Sequence, residues 1–223
     1  MPRLAMFPLG TVLFPHMVLP LHVFEPRYRQ MVNDVLEGDG RFGVVLIERG
    51  HEVGGGDVRS DIGTVAQVVR AEELDDGRWV VVAVGTQRLR VADWLEDDPY
   101  PSAMVELLDD PPAASSDHRD AVADRLRRVL ALQTELDEPS APVTIELAND
   151  PLLASYQAAV LAPLSPFDAQ RLLAADSAAM RLALLDKELM DLESLLRFRL
   201  HGTGGDPAAT ETEDGNDEPD GRT

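Results

Sequence analysis

The sequence has no cysteine and only one lysine, and both shortages exclude kinds of chemistry. Without cysteine the chain forms no disulfide, thiolate zinc site, iron–sulfur cluster or cysteine nucleophile. The lysine, Lys187, stands between Asp186 and Glu188 with no glycine-rich segment before it. A phosphate-binding P-loop and a serine–lysine dyad each need a lysine in a different setting. We therefore predict no nucleotide-hydrolysing site, no peptidase site and no catalytic residue in these 223 residues.

Basic residues as a group are scarce, with Lys+Arg 20 against Asp+Glu 40 and a formal net charge of −20. Residues 202–223 carry −6 of that charge, so residues 1–201 are themselves acidic at −14. Binding to nucleic acid depends on clustered Lys and Arg that neutralise phosphates, and the longest basic run is Arg127-Arg128. We expect no nucleic-acid partner.

The chain also lacks long apolar runs and recognisable ligand clusters. Leu4 to Phe24 is mostly apolar, but prolines at 8, 15 and 20 interrupt it, so we expect neither an export signal nor a membrane span. The five histidines fit no metal motif, and the paired aspartates fall at turns. The sequence predicts no metal, no cofactor and a cytoplasmic location.

What is present divides the chain into two textures. Residues 1–110 are rich in Val, Gly and Arg and alternate as strands do, whereas residues 115–201 are rich in Leu and Ala at helical spacing. The segment 202–223 has no Leu, Ile, Val or aromatic residue, so we expect it to be disordered. A small barrel or sandwich followed by helices is therefore predicted, an α+β fold.

Local signals place the individual elements of the first part. Glu25-Pro26 opens a helix that ends at Gly38, with its apolar face formed by Tyr28, Met31, Val32, Val35 and Leu36. The strands are expected at Leu4 to Leu9, Met17 to Phe24, Phe42 to Ile47, Ile62 to Glu72, Arg78 to Gly85, Gln87 to Leu95 and Ser102 to Leu108. In the strand after Gly85, Leu89 and Val91 should face the core, and Arg88 and Arg90 the solvent.

Capping residues place the helices of the second part. We expect helix starts at Asp117 or the serines before it, at Asp150, at Ser165 and at Asp176. Leucines 185, 189, 192 and 196 predict a buried stripe or a seam for a partner helix. Two ion pairs four residues apart, Asp124 with Arg128 and Glu193 with Arg197, should support the helices.

Four segments resemble one known family in the family's order. They are Met6 to Tyr28, which contains Phe-Pro twice, Gly38 to Val45, Asp61 to Ala66 and Gly85 to Val91. The chain resembles the amino-terminal, substrate-binding domain family of Lon proteases over residues 3–108, and more loosely over Leu164 to Leu196. One departure is His16, where the family usually has glycine after Phe-Pro.

The resemblance implies a PUA-like β pseudo-barrel with one early helix, followed by a C-terminal helical bundle. We accordingly expect a β unit at 1–110, a helical unit at 115–201 and an acidic tail at 202–223. In Lon proteases this domain precedes an ATPase and a serine–lysine peptidase. Because the sequence has one lysine, we interpret the chain as a stand-alone binding protein of this type.

Within the first block, the proline-interrupted strand suggests an edge to which another chain can add by backbone pairing. Phe14, Met17 and Tyr28 are candidate apolar anchors for a peptide, with barrel core as their alternative role. Glu25 and Arg27 flank Pro26; an ion pair that fixes the strand-to-helix corner is favoured over ligand binding.

These observations predict a non-enzymatic protein that binds polypeptides, either recognising unfolded or tagged substrates or acting as an adaptor. The alternative is a small-molecule or RNA-binding module of PUA-like architecture, and the charge of −20 opposes RNA.

Overall fold

The computed structural model describes residues 1–49, 58–111 and 117–202. The serines predicted to cap the first bundle helix and the predicted disordered tail beyond Gly202 lie outside these residues. Six strands form one sheet: β1 (Arg3–Leu9), β2 (Val18–Val23), β3 (Arg41–Arg49), β4 (Val58–Glu73), β5 (Trp79–Trp94) and β6 (Ser102–Leu108). The strand order is β2-β5-β4-β3-β1-β6.

Strand β5 closes the sheet into a pseudo-barrel. Its first part pairs with β2 and its second part with β6, while β4 pairs with it from Trp79 to Arg90. The sequence predicts two strands here, broken at Gly85; the structure has one, bent where the pairing with β4 shifts register beside Gly85. A Cβ at Gly85 would collide with the Phe14 carbonyl, so the glycine serves close backbone packing and does not end the strand.

Helix α1 (Pro26–Glu37) covers the apolar interior of the barrel. Its buried side chains are Tyr28, Met31, Val32 and Val35, which pack in one cluster with strand residues. The prediction was wrong for Leu36, which is 40% exposed. The remaining predicted members of this helix face are confirmed.

The second part of the chain is helical, as predicted: α2 (Asp117–Glu135), α3 (Pro151–Leu161), α4 (Pro166–Leu173) and α5 (Ala178–Gly202). Asp150 and Ser165 cap α3 and α4 through their side chains. For α5 the Met180 amide donates to Ser177 Oγ, so the cap is one residue later than the predicted Asp176. Leu185, Leu189 and Leu196 are buried in the bundle, and Leu192 is partly buried against it, which confirms the leucine stripe.

The ion pairs of the bundle differ in part from those predicted. Arg197 Nη2 lies 2.7 Å from Glu193 Oε1, as the spacing predicts. Asp124 pairs with Arg127 and not with Arg128, because Arg128 reaches across to Glu193 on α5. Burial of Glu193 favours its neutral form, but the hydrogen bond from Arg128 and three arginine charges outweigh it and lower the Glu193 pKa.

The two units share a core. Phe14, from the segment between β1 and β2, is 3% exposed and belongs to the same buried cluster as the leucines of α2 and α5. Gln170 Nε2 on α4 donates to the Ile62 carbonyl of β4 at 2.8 Å. The helical unit therefore packs directly on the barrel.

Candidate functional site

The barrel has an open seam between β1 and β2. Among the described residues β2 pairs only with β5, so its other edge has no strand neighbour. Strand β1 pairs with β6 only over Arg3 to Ala5, and Phe7 to Leu9 pair with β3 alone. Two unpaired edges thus face the same opening, which is where a further strand can add.

This opening is a groove of about 220 Å³, which we call the seam groove. Its wall on the β1 side is Phe7-Pro8-Leu9 and on the β2 side Pro20 to Val23, with Phe24, Glu25 and Tyr28 at the end. Phe24 is 58% exposed, whereas Phe7 is buried. A largely exposed aromatic beside an apolar groove is a usual feature of binding surfaces.

Sequence reasoning did not single out Phe24. The alternation of β2 could have identified it, because Leu19, Leu21 and Val23 are the buried residues of that strand. The next residue, Phe24, therefore points outward. Its position between a strand and the first proline of a helix keeps it there.

The corner from β2 to α1 is held by charge and stacking. Arg27 Nε lies 3.0 Å from Glu25 Oε2, with both side chains about one-fifth exposed. The Arg27 guanidinium lies 4.6 Å from the centre of the Tyr28 ring. Pro26 starts α1 at a position where no backbone donor is needed. These contacts fix one end of the seam groove.

The three residues predicted as peptide anchors do not lie together. Tyr28 is 4% exposed and stacks on Phe7, with ring centres 4.3 Å apart, at the base of the seam groove. Phe14 is buried against Tyr156 of α3. Met17 is partly buried and packs against both the barrel and the bundle clusters. Their packing is that of core residues, so their role in binding stays a prediction.

Two further grooves border the helical unit. The first, about 200 Å³, lies between Thr11 and Val12 of the β1–β2 segment and Val160 and Leu164 of the bundle; we call it the loop groove. The second, about 320 Å³, lies between the α3–α4 connection and α5 and is the acidic groove. Its lining includes Leu164, Leu192, Leu195, Asp168, Glu188 and Asp191.

The residue that departs from the family pattern occupies a conformation that suits glycine. His16 has φ of 67°, in the left-handed region. Its amide donates to the Gly85 carbonyl at 2.7 Å, and the Gly85 amide donates to the Met17 carbonyl at 2.9 Å. The turn therefore keeps the shape that a glycine would adopt, and His16 adopts it at a conformational cost.

A buried charged cluster, which we call the clamp, joins the two units: Arg88 of β5, Asp110 after β6, Tyr156 of α3 and Arg181 of α5. The side chains of Arg88 and Arg181 are 4% and 0% exposed. Arg88 Nη2 lies 2.8 Å from Asp110 Oδ1, an ion pair that is not aligned as a hydrogen bond. The Tyr156 hydroxyl donates to Asp110 Oδ2, and the Arg181 guanidinium stacks 4.0 Å from the Tyr156 ring centre.

Backbone carbonyls complete the clamp. Arg88 Nη1 donates to the carbonyls of Leu173 and Ala175, at 3.1 and 2.8 Å, so β5 is tied to the α4–α5 connection. Burial lowers the pKa of Arg181, and it raises the pKa of Tyr156 above its ordinary range. The prediction that Arg88 faces solvent was therefore wrong: that face of β5 is exposed at Arg90 but covered by the bundle at Arg88.

A polar cleft of about 530 Å³ lies at the other end of β1 and includes Arg3, Asp34, Arg41 and Tyr100. Its polar groups already have partners within the protein. The Tyr100 hydroxyl donates to Asp34 at 2.7 Å, and partial burial together with this contact raises the Tyr100 pKa to about 12. Arg3 donates to a serine hydroxyl and Arg41 pairs with an aspartate. The cleft offers a ligand few unsatisfied groups.

Two features are absent from residues 1–49, 58–111 and 117–202. No helix there is long and apolar enough to cross a membrane. In the same residues, no three or more His, Asp or Glu side chains come together in a way that could hold a metal ion.

A family model decides the classification. The model of the ATP-dependent protease La (LON) substrate-binding domain matches residues 3–191. The chain belongs to this family. The match includes both walls of the seam groove, the clamp and most of α5, so the family's domain comprises the barrel and the bundle together.

Curated relatives of this family member are much longer. It is 27% identical over 196 residues to a Lon protease of Cytophaga hutchinsonii, covering 82% of this chain and 24% of that protein. It is 29% identical over 148 residues to a Lon protease of Trichlorobacter lovleyi, covering 63% of this chain and 18% of the relative. The chain thus spans about a fifth to a quarter of the length of these proteases.

Solved structures agree with the fold. A Lon N-terminal domain protein from Xanthomonas campestris superposes with a TM-score of 0.63 at 27% identity, covering 83% of this chain and 97% of that one. The N-terminal domain of a Mycobacterium avium complex Lon protease gives 0.57 at 17% identity, covering 86% of this chain and 98% of that one. The predicted α+β fold, with a C-terminal helical region, is confirmed.

Proposed function

We propose that this Lon substrate-binding domain protein binds unfolded or tagged polypeptides at the seam groove and performs no chemistry itself. The observation that carries the proposal is the seam groove: two unpaired strand edges, an apolar lining and an exposed Phe24. Main-chain groups at such an edge accept any extended sequence, while the groove selects apolar side chains. This breadth suits a protein that recognises unfolded chains.

The alternative of a small-molecule module has less support. The seam groove is below the roughly 300–1,000 Å³ that small-molecule sites occupy. The polar cleft is large enough, but its polar and charged groups already have partners within the protein. The seam groove suits single side chains of a longer ligand better than a whole small molecule.

Phe24 is the residue to test. Burying a whole Phe side chain contributes about 1.5–3 kcal/mol, so covering the exposed 58% of Phe24 contributes about 0.9–1.7 kcal/mol. Phe24→Ser should therefore weaken binding of a fluorescent, permanently unfolded model protein about tenfold. Val69→Ser is the control, because Val69 is 60% exposed on β4 and lines none of these grooves.

The measurement is a fluorescence anisotropy titration of wild type and both variants. Equal dissociation constants for wild type and Phe24→Ser would rule out the seam groove as the site. Absence of binding by wild type at tens of micromolar would rule out polypeptide binding altogether.

A further inference from the structure

The seam, loop and acidic grooves are linked by shared or sequence-near lining residues. Leu164 lines both the loop groove and the acidic groove, so these two adjoin. Leu9 lines the seam groove and Thr11 lines the loop groove, only two residues further along the chain. Two residues span at most about 7 Å, less than the length of a tripeptide. The three grooves therefore lie within reach of one extended chain.

The acidic groove differs from the other two in charge. Asp168 and Glu188 both pair with Arg171, at 3.3 and 3.1 Å. Asp191 is exposed and makes no ion pair with any residue that the structure describes. Three carboxylates against one guanidinium leave this end negative, next to the exposed apolar Leu195. A ligand with both apolar and basic side chains is complementary to it.

Charge and composition also argue against two occupants from within the protein. A second copy carries the same net negative charge, −14 over residues 1–201, and is therefore disfavoured beside an acidic groove. The segment 203–223 is acidic and has no Leu, Ile, Val or aromatic residue with which to fill an apolar groove. The occupant must come from another protein.

We propose that a bound polypeptide runs extended through all three grooves, with apolar side chains in the seam and loop grooves and Lys or Arg beside Asp191. This rests on the proposed function and specifies its substrate: long, unfolded segments in which apolar residues are followed by basic ones. A segment that reaches one groove alone binds weakly. Affinity then rises with length, because successive grooves are filled by one molecule.

Length and charge are tested with three synthetic peptides. The first has six residues of Leu, Phe and Ser and extends to about 20 Å, at about 3.3 Å per residue. The second has eighteen residues, extends to about 60 Å and carries Lys in both terminal thirds. The third is the eighteen-residue peptide with Glu in place of Lys. We expect the Lys peptide to bind at least tenfold more tightly than both others.

Variants on α5 test whether the tighter binding of the long Lys peptide depends on the acidic groove. Leu195→Ser should weaken the Lys peptide about fivefold and leave the six-residue peptide unchanged. Its control is Met190→Ser, because Met190 is similarly exposed on α5 but lines none of the grooves. Asp191→Asn should weaken the Lys peptide two- to threefold at low salt; its control, Asp75→Asn, changes an exposed acid in the turn between β4 and β5.

The outcomes separate this inference from the proposed function. If Phe24→Ser weakens both peptides while Leu195→Ser and Asp191→Asn change neither, the seam groove binds but the long path is wrong. Equal affinities for the short and the long Lys peptide would also overturn the path. If Phe24→Ser changes the affinity of neither peptide, the seam groove is not the binding site and the proposed function is wrong.

Discussion

Replacing Asp110 by asparagine removes the one carboxylate of the clamp and leaves two guanidinium groups facing each other. Arg181 is fully buried and Arg88 nearly so, and Asp110 is only 12% exposed. Removing one partner of a buried ion pair typically costs 3–5 kcal/mol. Because Asp110 retains some solvent contact and both arginines keep their carbonyl partners, we expect a loss of about 3 kcal/mol.

The assay is thermal unfolding followed by circular dichroism at neutral pH, with urea unfolding as a second measure of free energy. For a domain of this size each kcal/mol lowers the Tm by about 2–4 °C, so Asp110→Asn should lower it by about 6–12 °C. Asp75→Asn, at an exposed turn position, should change stability by less than about 0.5 kcal/mol. If Asp110→Asn were no less stable than Asp75→Asn, the clamp would not be what joins the two units.

Two other predictions concern stability. His16→Gly should stabilise the protein by about 0.5–1 kcal/mol in urea unfolding, because His16 holds a left-handed φ of 67° that glycine adopts freely; a destabilised variant would contradict this. Glu193, whose pKa is lowered in the folded state, contributes stability above the ordinary value of 4.5, and this contribution is lost as pH falls through the lowered pKa. Glu193→Gln should therefore be less stable than wild type at pH 7, with the difference shrinking as pH falls below about 4.5; a constant difference across pH would show that the Glu193 charge is not responsible.

The strands, helices and most caps follow from local signals, because proline, glycine and alternation act within a few residues. The bend of β5 does not, since Gly85 is needed for contact with Phe14, 71 residues earlier in the chain. Local signals identify a glycine but not the distant carbonyl that it must approach. The same sequence pattern therefore fits two strands or one bent strand.

The clamp shows why buried charge is hard to predict. The alternation of β5 correctly places Leu89 and Arg88 on opposite faces of the strand. Whether Arg88 is exposed to solvent depends on the bundle that packs against its face. A signal existed in α5, where Arg181 lies four residues before the buried Leu185 and so on the same helix face. An arginine on a leucine stripe predicts a buried partner, though not which one.

The family was accessible from sequence, because the four blocks form the barrel strands and the first corner. The seam groove could not be predicted from sequence, because it lies between two strand edges, of β1 and β2, that do not pair. That missing pair is a property of the whole sheet.

Crosslinking at position 24 tests the central claim most directly. A photoreactive phenylalanine analogue replaces Phe24 in one sample and Val69 in another, and each is irradiated with the unfolded model protein. We predict crosslinks from position 24, competed away by excess unlabelled unfolded protein, and few from position 69. Equal yields from the two positions would contradict binding at the seam groove.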